Sequence, residues 1–234
     1  MNIDIATSAT IRPDILNKTL SSFRANLLNS NHEYRLIINI DPVGEKKNPK
    51  KVLAVARSHF DNVVHRIPRS PSFVGAVIWC WSQVEADLVF HLEDDWTMDQ
   101  PVDLDKMLQT ISAHDEFSSF GLSKLVLKVL LKRRKKVTFR DSALIEVDKM
   151  SLNPVFIRRG FVNEASRLLS KKGNPEKQLR VVNPHCGKFI KTTRHCMYIE
   201  QGQGALVTDI GRPWMRKSRL YTKDIGFTKW KPVS

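Results

Sequence analysis

The feature that most constrains this chain is the rhythm of its first hundred residues. "IDIAT" (3–7) alternates apolar and polar positions as a strand does, and "RPDILNKTLSSFRANLL" then places Leu16, Leu20, Phe23 and Leu27 at helical spacing behind Pro13. "YRLIINID" (34–41) is apolar on both faces and reads as a buried strand, ended at Asp41-Pro42. "VLAVARSHF" reads as a short helix and "NVVHRI" as a strand, and "FVGAVIWCWSQVEA" reads as a buried helix leading into the strand "DLVFHL". A β-α-β-α-β-α-β order with short connections predicts an α/β layer around a mostly parallel central sheet flanked by helices. In such sheets ligands sit beyond the carboxyl ends of the strands.

Three polar groups fall at that edge: Thr7-Ser8 with Arg12, then Asp41, then Glu93-Asp94-Asp95. The last group goes against the charge of the whole chain, whose 234 residues carry a formal net charge of +14. Consecutive acids after a buried strand repel one another, which a turn does not require. A divalent cation reverses that repulsion, because a hard ion takes one or two carboxylates together with phosphate oxygens. In Glu93-x-Asp95 the two side chains alternate as on an extended segment and can face one pocket.

The second half is less regular. A helix is expected at 103–113, strands near 117–122 and at "SALIEVD", and "SLNPVFIRRGFVNEASRLL" is read as entering a helix. "SKLVLKVLLKRRKKVTFR" (123–140) reads as a basic insertion or elaborated loop. Two readings of that stretch stay open: an amphipathic membrane-surface segment, or a phosphate-backbone footprint made of Lys132, Arg133, Arg134, Lys135 and Lys136 with Arg158 and Arg159. Positive charge spread through the second half fits a long polyanion better than one anchoring helix. Three cysteines without CxxC spacing argue against a disulfide framework, and His185-Cys186 and His195-Cys196 match no standard zinc spacing. The N-terminus lacks a signal-peptide pattern, and no apolar run is long enough to span a bilayer. The expected location is the cytoplasm, that of the host cell if the chain is phage-encoded.

Taken together, "IATSATIRPDILNKTLSSF", "INIDP", "GAVIWCWSQVEADLVFHLEDDW" and "NPEKQLR" resemble, in order, the opening strand and Arg-Pro helix start, the second-strand aspartate, the approach to the DxD motif and the base-bearing acidic segment of family 2-like glycosyltransferases with the GT-A fold. The resemblance implies a single GT-A (Rossmann-like) domain over 1–234, with a nucleotide-binding half (1–100) and an acceptor-binding half with a C-terminal lid (101–234). It implies a nucleotide-sugar donor, UDP-linked, held near Thr7, Arg12, Asp41 and Glu93, and Mn²⁺ or Mg²⁺ held by Asp95. Asp94, between the two outer acids, is grouped with Glu176 as catalytic; Glu164 and Asp141 stand behind Glu176 as candidate bases. Glu176 equally reads as a first-turn acid after the N-cap Asn174. In "GQGALVTDIGRPWMRKSR" Asp209 stands where a further metal ligand belongs, or else as a turn residue, and Arg212, Arg216 and Lys217 stand where a diphosphate is neutralised.

Charge, size and the lack of membrane elements are also similar to phage enzymes that add sugars to hydroxymethylated pyrimidines in DNA. On that likeness the acceptor is DNA, and a flipped base could stack on Trp96, Phe156, Phe161, Trp214 or Trp230, most of which read first as buried core residues. A lipid or polysaccharide acceptor, a metal-dependent nuclease or nucleotidyltransferase, and a non-catalytic nucleic-acid binder are the competing readings.

Overall fold

A computed structural model describes residues 1–28, 31–45, 48–133, 138–140, 143–182, 184–199, 204–218, 221–223 and 230–232. The predicted alternation is present: β1 (Asn2–Ile11), α1 (Pro13–Asn26), β2 (Glu33–Gly44), α2 (Pro49–His59), β3 (Asn62–Arg66), α3 (Phe73–Ser82) and β4 (Leu88–His91). There follow β5 (Trp96–Met98), α4 (Leu104–Ala113), β6 (Phe117–Leu122), α5 (Leu127–Arg133), β7 (Thr138–Phe139), β8 (Leu144–Val147), β9 (Val155–Arg158) and α6 (Arg159–Leu168). The chain continues through α7 (Pro175–Lys177), a π turn (Gln178–Val182), α8 (Pro184–Lys191), β10 (Arg194–Tyr198), β11 (Val207–Asp209), α9 (Gly211–Ser218), β12 (Tyr221–Lys223) and β13 (Trp230–Pro232).

Nine strands form one sheet in the order β3-β2-β1-β4-β9-β6-β10-β8-β7. The first four run parallel. β9 is reversed between β4 and β6, and β10 is again parallel to β6. Helix α1 starts on Pro13, whose fixed φ suits the first helical position, and buries Leu16, Leu20 and Phe23 completely. Each such side chain contributes about 1.5–3 kcal/mol. Along β1, Ile3, Ile5, Ala9 and Ile11 belong to the core on one side of the sheet, and Ala6 to the core on the other, with α3 and α6.

Two parts of the second half differ from expectation. The segment read as entering a helix first makes β9, because Val155, Phe156 and Ile157 are apolar in succession and are buried on both faces of the sheet. The basic stretch is not wholly a loop: it opens with α5 and returns as β7 at the sheet edge. Leu125 and Leu127, at its start, pack against Ile145 and Ile199. No helix among the described residues is long and apolar enough to cross a membrane.

Candidate functional site

The strand ends of β1, β2 and β4 meet where the acids stand. Leu92 N–H donates to Ala6 O at 3.0 Å and Asp94 N–H to Ser8 O at 3.3 Å, so the acid turn continues the β1–β4 pairing beyond the end of β4. From α1, the Thr19 hydroxyl donates to the Asp94 carbonyl at 2.8 Å. The Asp94 side chain points inward, 3% exposed. Its Oδ2 accepts from the Thr10 N–H at 2.9 Å and the Thr10 hydroxyl at 3.3 Å, and its Oδ1 is ion-paired with Arg12 Nη2. The same Nη2 donates to Asp95 Oδ2 at 3.2 Å.

Burial, with Asp95 alongside, pushes the Asp94 carboxyl up from the usual carboxylate range, against the pull of Arg12 and the Thr10 N–H. For Arg12 burial opposes the charge, but Asp94 and Asp95 outweigh it and hold the guanidinium protonated. One guanidinium serves two carboxylates, and Asp95 is the more accessible of the two.

A second layer closes over this turn. β5 pairs antiparallel with β11, setting Asp209 opposite Trp96, and Ile210 N–H donates to Asp95 O at 2.9 Å. Gly211 then lies so close to the Asp95 carboxylate that a Cβ at that position would overlap it. One turn into α9, the Trp214 ring lies 5.0 Å from the Arg12 guanidinium, and its Nε1–H donates to Glu45 at 3.3 Å.

These placements correct several expectations. Thr7 is fully buried, not at the rim, because β1 runs on to Ile11 and brings Thr10 to the edge instead. Arg12 is turned inward to the acids, 2% exposed, rather than outward to a nucleotide. Asp94 anchors the turn from inside, where burial keeps it from reaching a substrate. Trp96, Phe156 and Phe161 are buried, which agrees with their core reading and leaves no stacking surface there.

Asp41 stands beside Thr10 in the β1–β2 register and is mostly buried. It accepts from Asn39 at 2.9 Å and from the Ser72 N–H, at the N-cap of α3, at 2.9 Å. Burial raises its pKa above the ordinary carboxylate value. Glu93 is half-buried on the turn. Asp209 caps α9, with Oδ1 accepting from Gly211 N–H at 3.0 Å and Arg212 N–H at 3.2 Å, and Oδ2 paired with exposed Arg212 at 3.0 Å. The turn reading of Asp209 is therefore realised in this structure. The side chains of Arg216 and Lys217 lie outside the described residues.

Glu176 stands apart from the acid turn, on α7. Its Oε1 accepts from Ser151 Oγ at 2.6 Å and from Arg180 Nη2 at 2.7 Å. Asn174 accepts from Lys177 N–H at 3.0 Å, so the N-cap reading of this segment holds as well. Of the two acids ranked behind Glu176, Glu164 pairs with Arg167 on the exposed side of α6, and Asp141 lies outside the described residues.

Of the basic residues read as a phosphate footprint, Arg158 donates to the carbonyls of Phe117, Ile111 and His114 at 2.9, 2.8 and 3.1 Å. Arg159 donates to Glu85 O at 2.6 Å and pairs with Asp87. Arg158 is committed to internal partners, whereas Arg159 stays at the surface, its side chain 43% exposed. Lys132 is exposed; the Arg133 side chain and residues 134–136 lie outside the described residues.

Two residues the sequence reading did not single out complete the surroundings. Thr10 was detectable from strand alternation once β1 was extended. Lys124, which was merged into the basic stretch, holds its ammonium 5.7 Å from the Trp96 ring.

No family model matches the chain, and no characterised protein sequence matches it. Its structure is similar to that of TarS from S. aureus, with a TM-score of 0.57 at 10% identity over 88% of this chain and 36% of that one. A shorter form, TarS 1–349 with UDP-GlcNAc, has a TM-score of 0.53 at 10% identity over 88% of this chain and 57% of its own length. The mannosyltransferase PcManGT from Pyrobaculum calidifontis, in complex with GDP-Man and Mn²⁺, has a TM-score of 0.57 at 9% identity over 93% of this chain and 61% of its own. The CMP:2-keto-3-deoxy-manno-octonic acid synthetase complexed with CTP has a TM-score of 0.52 at 14% identity over 93% of this chain and 95% of that one. The chain thus spans about a third of TarS and three fifths of the mannosyltransferase. What these likenesses share with the chain is its architecture: the GT-A-like α/β fold, with a large, mostly parallel sheet between helices.

Proposed function

We propose that the protein transfers a sugar from a nucleoside diphosphate sugar, UDP-linked, to an acceptor hydroxyl with the help of Mn²⁺ or Mg²⁺. The observation that carries this reading is the acid turn at the end of β4: two adjacent carboxylates share one buried guanidinium, with Asp95 the more accessible of the two. The solved neighbours that hold UDP-GlcNAc, or GDP-Man with Mn²⁺, support it.

The described residues contain no group of three or more side chains able to cage a metal by themselves. That donor set suits an ion held by one or two carboxylates and otherwise by phosphate oxygens, as Mg²⁺ commonly is. Asp95, with Glu93 beside it, would hold the ion, and when bound it supplies Lewis-acid stabilisation to the departing diphosphate. Arg12 and Asp94 fix the turn, and Arg212, exposed although paired with Asp209, would take phosphate charge by exchanging that partner.

In an inverting reaction the acceptor oxygen bonds to the anomeric carbon, the bond to the diphosphate breaks with its electron pair, and a base takes the hydroxyl proton. Glu176 fits that role: Ser151 and Arg180 hold Oε1, and Oε2 accepts no hydrogen bond from the described residues. Calorimetry with UDP and Mn²⁺ on the wild type and Asp95→Ala tests the donor site. Metal-dependent UDP binding that disappears in the variant is the expected result; equal binding in both would sink the reading.

For the acceptor, the net charge of +14 supports a polyanion, and hydroxymethylated pyrimidine in DNA is the reading that the sequence favours. Incubation with radiolabelled UDP-glucose and hydroxymethylated DNA, unmodified DNA or lipid extract checks it; label in the lipid fraction alone would overturn it. A second reading, nucleotidyl transfer, is favoured by the near full-length likeness to the CTP-bound synthetase. Release of pyrophosphate from a nucleoside triphosphate would decide for it.

A further inference from the structure

The stretch from α6 to α8 carries positive charge that the candidate site does not use. Between residues 159 and 191 the acids are Glu164 and Glu176, and each is paired with an arginine of its own segment, Glu164 with Arg167 at 3.8 Å and Glu176 with Arg180 at 2.7 Å. Lysines are left over. Lys171 and Lys172, on the loop after α6, and Lys188 and Lys191, on α8, are exposed and pair with no acid among the described residues.

These four stand on one shoulder of the molecule. Leu169, which leads into the loop, shares a core cluster with Phe161 and Ala165 of α6, Leu179 of the π turn, and Ile190 of α8. The Phe161 and Phe189 rings lie 5.1 Å apart and join α6 to α8. With those residues turned inward, the lysines beside them face solvent.

The loop is held in place from inside. Gln178, 4% exposed, accepts from Ser170 N–H at 2.8 Å through Oε1, and its Nε2 donates to Ser170 O at 3.0 Å and to Lys172 O at 3.1 Å. At a surface, water would satisfy those backbone groups equally well. A buried amide committed to them instead fixes where Lys171 and Lys172 stand, which lowers the ordering cost of binding. The same short segment carries Glu176, so the fixed lysines and the candidate base share one support.

The chemistry of the shoulder selects its partner. The exposed large apolar side chains among the described residues are Met1, Ile67, Val126 and Phe139, none of them between 159 and 191. An element that docks on a membrane inserts apolar side chains beside its basic ones, and the shoulder has none to insert. A sugar–phosphate backbone asks only for cations at intervals.

Resting on the DNA-acceptor reading, we infer that this shoulder is the docking face for the phosphate backbone of DNA, with Lys171, Lys172, Lys188 and Lys191 as its contacts. The footprint thereby moves away from Arg158, whose guanidinium is used up by backbone carbonyls.

The test is the salt dependence with which a labelled, unmodified DNA duplex binds, followed by fluorescence anisotropy. Lys171→Gln/Lys172→Gln and Lys188→Gln/Lys191→Gln are compared with Lys50→Gln/Lys51→Gln, an equal loss of charge on α2, which packs on the opposite side of the sheet. Melting temperatures serve as the folding control. Each phosphate contact contributes about 0.9 to the slope of log K against log salt. Each shoulder pair should therefore lower the slope by about 2 and the two pairs together by about 4, while the α2 pair leaves it at the wild-type value. Equal slopes in the shoulder and α2 variants would overturn the inference. So would lysine-dependent binding to phosphatidylglycerol vesicles without binding to the duplex. Transfer of labelled sugar to hydroxymethylated DNA, measured on the same proteins, separates the inference from the reading beneath it. Transfer with an unchanged slope strikes the docking face alone, whereas a lowered slope without transfer strikes the acceptor reading and leaves the face standing.

Discussion

On the β3-β2-β1-β4 flank of the sheet, the polar side chains at the rim are tied to one another and leave little space; on the β6-β10-β8 flank they also border a cavity. Thr10, Arg12, Thr19, Asp94 and Asp95 form one hydrogen-bonded unit, and Asp41 beside it is bonded to Asn39 and Ser72. Across the sheet, Ser119, Thr193 and Lys124 border a cavity. A site that must place a metal and a diphosphate gains from carboxylates that cannot rotate. A site that must admit an acceptor gains from room. The contrast can be broken or sharpened by substitutions on either side.

The largest effect belongs to the tied flank. Arg12→Leu leaves Asp94 buried beside Asp95 without its guanidinium. Breaking a buried pair from one side costs about 3–5 kcal/mol. Urea denaturation should show that loss in Arg12→Leu, whereas Lys124→Gln on the open flank should be nearly silent. Equal losses would remove the distinction.

Next in size is a dependence on pH, with one histidine on each flank. His91, on β4, accepts from Trp81 Nε1–H at 3.3 Å; His195, on β10, lies between Ser119 at 2.8 Å and Thr193 at 3.0 Å. Burial pushes both down to about 4. Unfolded histidine titrates near 6.5, so between that pH and about 4 the unfolded chain binds protons that the folded chain refuses. Stability is therefore unaffected above pH 6.5 and falls as pH drops through the window, by about 2 kcal/mol per histidine at pH 5. Melting followed from pH 7 to pH 5 should show the fall, and His91→Gln and His195→Gln should each remove about half of it.

How far the two flanks could be read from sequence follows the same division. The tied flank was legible because each strand and helix buries a local pattern: Leu16, Leu20 and Phe23 in α1, or the isoleucines of β2. The acid turn was legible because three acids after a buried strand contradict that pattern. Which acid faces in was not legible, since the choice depends on Arg12 lying 82 residues from Asp94. Thr7 misled because the end of β1 is set by pairing with β2, not by its own residues. On the open flank, β9 and β10 owe their strand state to neighbours distant in the chain, Phe90 and Phe120 for Phe156, and Glu146 and Phe120 for Cys196. A cavity has no sequence pattern at all, being the space that distant residues fail to fill.

The third prediction separates a fold contact from a ligand contact. Arg158 reads in the sequence as a phosphate binder, but its guanidinium satisfies three carbonyls around the end of α4 and the start of β6. Arg158→Ala should cost about 2 kcal/mol in denaturation, the scale for hydrogen bonds to a charged donor. Its effect on the salt slope of DNA binding should be absent. A reduced slope with unchanged stability would restore it to the phosphate footprint.

The smallest effect tests whether α9 belongs to the tied flank or merely rests on it. Trp214 lies over Arg12 and reaches Glu45 with its indole N–H, while Gly211 abuts Asp95. Removing the ring in Trp214→Ala should cost about 0.5–1 kcal/mol of cation–π attraction. That is too little to unfold the chain and enough to loosen the start of α9. Because Asp95 and its cover are joined through Ile210 N–H and Gly211, a loosened α9 should speed the dissociation of UDP–Mn²⁺ more than it slows association. Stopped-flow traces on Trp214→Ala would show this as a raised off-rate at constant on-rate. Unchanged kinetics would mean that α9 closes the turn without holding what binds there, and that the rigidity of the tied flank ends at Asp95.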